Sequence, residues 1–288
     1  MNIKEVLQKT EDYLSKHGVT NARLDAEVLL ADLLGMDRIK LYINFDYPLT
    51  AKELTTYRKR IKKRAQRLPV AYITGHKEFM SLDLEIEEGV LIPRPETEEL
   101  VENIISYCKE RDITDPNIVD VGTGSGAIMV SLGYYLEGAR IAGIDISPRA
   151  VKVARSNIKK HELDDRLKVI KGDLLQPLIK RDKKNVDIVI SNPPYIDNKG
   201  MEDLPPEVKT EPVKALAGGD DGCRVYERLI PQAARVLRPG GLLALEIGQA
   251  QVGRLEHWFQ SDEWLNYKLR SDYSGRERMV FAHRVKRG

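Results

Sequence analysis

Apolar residues open the chain at helical spacing, first Ile3, Val6, Leu7 and Leu14, then Leu24, Val28, Leu29, Leu33 and Leu34. A third helix is expected to start at Thr50, where Glu53 completes a capping-box pattern and Leu54, Tyr57, Ile61 and Ala65 share one face. Its other face is the run 58–67, with seven basic residues in ten. Such a run is either a solvated helix surface or a docking surface for an acidic or nucleic-acid partner. Near Pro69 the period changes. Turn signals at Thr74-Gly75 and Glu88-Gly89 bracket alternating positions such as Leu82, Leu84 and Ile86, which predict a β-hairpin linker. Beyond Ile92, Pro95 opens a helix with Leu100, Val101, Ile104 and Ile105 inward. Strands are then expected at 118–121, 140–144, 167–170, 186–191 and 242–247, with two more near 264–269 and 279–283. Helices fall between the first five, one of them capped by Ser147 with Pro148 at its first position. Apolar strands alternating with helices predict a doubly wound, mostly parallel seven-stranded sheet covered on both faces. The expected organisation is a helical domain over 1–71, a hairpin linker over 72–91 and an α/β domain over 92–288.

Composition narrows the class. Of 288 residues, 42% are hydrophobic and 31% charged, which excludes general disorder. The net charge of +2 does not mark a dedicated nucleic-acid binder, although it leaves room for a local basic patch. Cys108 and Cys223 form no CxxC, which excludes a disulfide framework and a zinc ribbon. Lys4, Glu5, Lys9, Glu11, Asp12 and Lys16 do not fit a signal peptide. No apolar run approaches the ~18 residues of a membrane span. The expectation is a soluble, reduced, cytoplasmic protein with no membrane partner.

The first strand runs into Asp120-Val121-Gly122-Thr123-Gly124-Ser125-Gly126-Ala127. Glycines permit a tight strand-to-helix turn and let a ligand approach the backbone. Asp145 ends the next strand about twenty residues on, where a carboxylate can accept from both hydroxyls of an adenosine ribose. Nucleoside binding follows, but the pattern also satisfies a dinucleotide fingerprint, so a nicotinamide oxidoreductase stays open here. The fourth strand ends in Ser191-Asn192-Pro193-Pro194-Tyr195. In an open α/β sheet this loop should face the nucleoside site. The two prolines stiffen it and leave free carbonyls. Asn192 and the Pro193 carbonyl offer acceptors and Tyr195 a flat wall, together a receptor for a planar amino group.

These motifs resemble the class I S-adenosylmethionine-dependent methyltransferases that act on amino groups. Further segments are similar to the release-factor glutamine methyltransferases (the PrmC/HemK family). They are Pro69-Val70-Ala71-Tyr72-Ile73-Thr74-Gly75, Leu91-Ile92-Pro93-Arg94-Pro95-Glu96-Thr97-Glu98, Glu211-Pro212 with Ala215-Leu216, and Leu245-Glu246-Ile247-Gly248. The likeness runs over nearly the whole chain. It implies S-adenosyl-L-methionine as cofactor, held by Gly122, Thr123, Gly124, Ser125, Gly126, Asp145, Asp173, Leu174 and Asn192. Relatives often carry an aromatic residue after Asp173; here Leu174 makes any adenine contact apolar.

The implied reaction is methylation of N5 of the glutamine in the Gly-Gly-Gln motif of peptide chain release factors, with Asn192, Pro193, Pro194 and Tyr195 as the catalytic loop. A primary amide is a poor nucleophile because its lone pair is delocalised, and acceptors on its N–H groups would localise it. No His–carboxylate pair stands near the loop, and none is needed for such a transfer. Two alternatives remain. A nucleobase amino group would fit the same receptor, although a near-zero net charge and the lack of a further target-recognition domain make a nucleic-acid substrate unexpected. A non-enzymatic nucleoside sensor would have no use for an amide receptor. About twenty-five residues between Tyr195 and the helix near Cys223 are long for a connection and are expected to cover the substrate. Arg94 and Glu96 fit either closure of the cofactor pocket or capping of the helix they precede.

Overall fold

The computed structural model describes residues 1–285. They form two compact units, one of Met1–His76 with Pro205–Thr210, the other of Lys77–Leu204 with the chain from Glu211 onward.

The first unit contains α1 (Ile3–Lys16), α2 (Ala22–Leu34), α3 (Arg38–Ile43), α4 (Ala51–Ala65) and α5 (Val70–Thr74). Capping boxes start α1 and α4: Asn2 and Glu5 exchange side-chain and backbone hydrogen bonds, as do Thr50 and Glu53. Ile3, Leu7, Leu14, Leu29, Leu30 and Tyr57 close the core between α1, α2 and α4. The Tyr57 hydroxyl donates to the Ala26 carbonyl at 2.9 Å. Leu24, expected inward, is exposed. The periodicity does not reveal α3, because that helix buries Leu41 but leaves Ile39 and Ile43 in solvent. The basic run divides. Arg58, Lys59, Lys62 and Lys63 are exposed, whereas Arg60 pairs with Asp32. Arg64 is buried against Asp25 at 2.6 Å and Glu207 at 3.0 Å, and Arg67 reaches Glu207 at 2.9 Å.

The second unit begins with a hairpin of β1 (His76–Phe79) and β2 (Leu82–Glu85). Met80 and Ser81 turn it with positive φ, the geometry that matches strand twist. Two expectations are corrected here. Residues 70–74 are helical, so the hairpin starts later than 72, and Phe79, Leu82 and Leu84 join the main core, so it is no mere linker.

The alternation then runs α6 (Pro95–Glu110), β3 (Asn117–Val121), α7 (Ala127–Tyr135), β4 (Arg140–Asp145), α8 (Pro148–Lys160), β5 (Leu167–Lys171), α9 (Gln176–Ile179) and β6 (Val186–Ser191). The segment expected as one long loop carries β7 (Ile196–Asp197), α10 (Asn198–Glu202), α11 (Val213–Leu216) and β8 (Ala217–Gly219), with β7 and β8 paired in parallel. The chain finishes with α12 (Arg224–Val236), β9 (Leu237–Glu246), α13 (Val252–Phe259), β10 (Trp264–Ser271) and β11 (Glu277–Arg284). The seven-stranded sheet has the order β10-β11-β9-β6-β3-β4-β5, with β9, β6, β3, β4 and β5 parallel and β11 antiparallel to both neighbours. One apolar cluster, with Leu100, Ile104, Met129 and Val151, covers one face of the sheet, and another, with Tyr226, Leu229 and Leu255, covers the other. Strand order reverses between β3 and β6, and their carboxyl ends open a crevice there. Among the described residues no helix is long and apolar enough to cross a membrane.

Candidate active site

The turn after β3 holds Gly122, Gly124 and Gly126 at positive φ. Gly126 is constrained twice, since a Cβ there would also lie 3.2 Å from that of Ala154. The Thr123 hydroxyl donates to Asp120 Oδ2 at 2.5 Å, while Asp120 Oδ1 is buried with no hydrogen-bond partner. Burial pushes the Asp120 carboxyl up to about 7; the Thr123 hydroxyl opposes the shift and nearby Asp145 adds to it. Asp145 braces the turn, accepting from the Gly124 N–H at 2.9 Å and the Ser147 N–H at 2.8 Å. Its carboxyl too is raised by burial, against those backbone donors.

Across the switch point, the Ser191 hydroxyl donates to the Val121 carbonyl at 2.6 Å and ties the end of β6 to the glycine turn. Asn192 follows. Its Nδ2 donates to Thr97 Oγ1 at 2.8 Å, and the Thr97 hydroxyl donates to Glu246 Oε2 at 2.6 Å. Glu246 ends β9 and is buried, which pushes its carboxyl up to about 7 against the hydrogen bond from Thr97 and the charge of Arg278.

A cavity of about 740 Å³ joins these parts, a size suited to a cofactor-scale ligand. Gly122, Thr123, Gly124, Ser125, Asp145, Asp173, Leu174, Asn192 and Pro194 line it. Gly126, Pro193 and Tyr195 do not. Gly126 shapes the turn beneath the cavity, and Pro193 is buried. The Tyr195 ring, expected as a wall, packs instead on the apolar cluster of the second face, close to Gly248. Burial there pushes its hydroxyl up to about 12. Asp173 is paired with Arg228, and Leu174 sits in the left-handed region at φ 49°, unusual for a residue with a Cβ.

Three residues had no role assigned from sequence. Thr97 and Glu246 lie within motifs already noted, but 149 residues separate them, and only the fold brings them together. Glu211 is buried and accepts from Arg94 Nη2 at 2.6 Å and the Ile92 N–H at 3.0 Å. This bears on the two readings of Arg94. Its side chain makes no helix cap; it lines the cavity and holds the segment before α11. Glu96 is exposed on the first turn of α6, outside the cavity lining.

Residues 5–75 match the family described as PrmC N-terminal domain, and residues 114–274 match a methyltransferase domain. A release factor glutamine methyltransferase of Moorella thermoacetica is 41% identical over 289 residues, covering 99% of both chains. That of Clostridium acetobutylicum is 38% identical over 285 residues, again covering 99% of each. Among solved structures, the N-terminal domain of human METTL16 in complex with SAH is similar in fold, with a TM-score of 0.53 and 19% identity over 72% of this chain and 77% of that one. With relatives this similar matched from end to end, the chain belongs to the release factor glutamine methyltransferase family.

Proposed function

We propose that the protein transfers a methyl group from S-adenosyl-L-methionine to N5 of the glutamine in the Gly-Gly-Gln motif of peptide chain release factors. The observation that carries this reading is that one cavity holds both the glycine turn with Asp145 and the amide of Asn192. The site suits the cofactor: a carboxylate at the end of β4 can accept from ribose hydroxyls, and Leu174 offers an apolar face to a base. When bound, the cofactor supplies a methyl carbon activated by a positively charged sulfur. Asn192 Oδ1, on the cavity lining, accepts an N–H bond of the glutamine amide. It holds the nitrogen in place and favours the pyramidal form in which the lone pair is free to attack. Reactive distance then does the remaining work, because oriented neighbours need reach only roughly 3–3.5 Å. The methylated nitrogen returns its extra proton to water.

The test is radiolabelled methyl transfer to release factor, DNA and RNA in parallel. Label on release factor alone supports the reading. Equal or greater label on either nucleic acid would replace it with the nucleobase alternative. For the cofactor, Asp145→Ala is expected to weaken binding by roughly 1.5–3 kcal/mol, the range for hydrogen bonds to a charged group. Unchanged affinity by calorimetry in a folded variant would remove the ribose role.

The helical unit supplies recognition area that one glutamine side chain cannot, since specific interfaces bury roughly 1,200–2,000 Å². Its available charges are the exposed Arg58, Lys59, Lys62 and Lys63, because Arg64 and Arg67 are engaged with Glu207. Lys62→Glu with Lys63→Glu is expected to raise KM for release factor about tenfold and to leave a short Gly-Gly-Gln peptide as weak a substrate as before. Equal losses on protein and peptide would mean that the unit only stabilises the fold.

A further inference from the structure

The Asn192 amide is held at one end only by what the structure records, and that end is a polarised chain. Its Nδ2 donates to Thr97 Oγ1 at 2.8 Å, and the single hydroxyl hydrogen of Thr97 is committed to Glu246 Oε2 at 2.6 Å. Thr97 and Glu246 are both buried, 4% and 1% exposed. An ionised carboxylate only accepts hydrogen bonds. Thr97 must therefore donate to Glu246, and its oxygen has only lone pairs left to offer. A lone pair can be met by the NH2 end of Asn192 and not by its oxygen. The two ends of an asparagine amide are nearly the same shape, so packing alone does not choose between them. Turned by 180°, Asn192 would show its NH2 to a substrate amide that also presents N–H groups, donor against donor.

We propose that Glu246 and Thr97 are positioning residues that set the polarity of the Asn192 amide, so that its oxygen meets the N–H of the glutamine substrate. This rests on the reading of Asn192 as an acceptor and adds what fixes it as one.

The relay has a protonation condition. Around the Glu246 carboxyl stand Thr97 and Glu96 from α6, Arg278 from β11 and the hydroxyl of Tyr195, while Asp272 lies 3.7 Å from Arg278 and the Tyr226 hydroxyl holds the Glu246 carbonyl. Burial raises this carboxyl to about 7, so it is ionised above that pH and takes a proton as pH falls through it. A protonated carboxyl can donate to Thr97. The Thr97 hydrogen is then free to turn toward Asn192, and the polarity of the chain is no longer specified. Methyl transfer should therefore fall on the acid side of about pH 7. Asp120 titrates in the same range, so wild type must be compared with a Glu246 variant rather than read by itself.

The experiment uses the full chain, saturating S-adenosylmethionine and single-turnover transfer to release factor, with cofactor affinity measured for each variant. Thr97→Val removes the relay at nearly constant shape and is expected to slow transfer about tenfold, the effect of roughly one hydrogen bond, at unchanged cofactor affinity. Thr97→Ser keeps the hydroxyl and should recover most of that loss. In the Asn192→Ala background, Thr97→Val should cost nothing further, because a residue that acts only through Asn192 has nothing left to act on. Glu246→Gln should be slow and should lose the part of the acid limb due to this carboxyl; should that variant fail to fold, the Thr97 series still decides. Transfer by Thr97→Val at the wild-type rate, full additivity with Asn192→Ala, or an unaltered acid limb in Glu246→Gln would overturn the proposal. The underlying reading fails separately: if Asn192→Ala itself transfers normally, Asn192 is not the amide receptor, whatever Thr97 does.

Discussion

Asn192→Ala is expected to reduce methyl transfer to release factor by about 10²–10³ while leaving the protein folded, the scale seen when one preorganised polar group aimed at a reacting centre is removed. The cost to the fold should be near 1 kcal/mol, the worth of a typical hydrogen bond, because the side chain is only half-buried and the bond it gives up is the one to Thr97. That disproportion is the signature of a group that acts on the substrate. Rapid-quench single-turnover measurements, paired with thermal unfolding, would check it. A rate within about threefold of wild type is too small for such a group and would end the amide-receptor mechanism. Because Asn192 also lines the cofactor cavity, calorimetry is needed to separate a loss of binding from a loss of rate.

Arg64→Ala should have the largest effect on stability, about 3 kcal/mol, although on sequence alone Arg64 is one basic residue in a run of seven. Its guanidinium is buried between Asp25 and Glu207, and removing it strands a largely buried carboxylate at Asp25. Glu207 would keep Arg67, which holds the cost near the low end for a broken buried pair. Lys62→Glu, on the exposed side of the same helix, is the control and should change stability by no more than about 0.5 kcal/mol. Urea titration followed by helical circular dichroism reads both. A loss below about 1 kcal/mol for Arg64→Ala would show that the pairing is no stronger than a surface ion pair. The Glu207 carboxyl is held below its ordinary value; burial pushes it up, but hydrogen bonds from Arg67 and Arg64 outweigh that. Its contribution is thus complete above the ordinary glutamate value of 4.5 and is lost as pH falls through the lower native one.

The sheet was readable in advance because each parallel strand is a short apolar run closed by turn residues, and the observed strands agree to within a residue or two at most ends. The exception is β9, which begins at Leu237; it passes through Pro239, Gly240 and Gly241, residues that read as a loop. The glycine turn, Asp145 and Asn192 were legible because each is fixed by its place at a strand end. What the sequence hides is pairing. Arg64 and its partners Asp25 and Glu207 are separated by 39 and 143 residues, so a charge run looked like uniform surface. Thr97 reaches Asn192 across 95 residues, and the motif that contains Glu246 carries no sign that its carboxylate meets Thr97. Tyr195 shows the opposite limit. Its motif placed it at the site, but the direction of its ring depends on the gap left by Gly248.

The excursion of Pro205–Thr210 makes the helical unit discontinuous in sequence. A cut at the hairpin therefore does not separate the two units, for a six-residue piece of one stays embedded in the chain of the other. Chimeras between family members feel this directly. Exchanging only the first seventy-odd residues would bring a foreign Asp25, Arg64 and Arg67 environment to a resident Glu207, and the buried charges would meet partners they were not selected with. The two stretches form a single unit of inheritance, and a graft that respects it must take both from one parent.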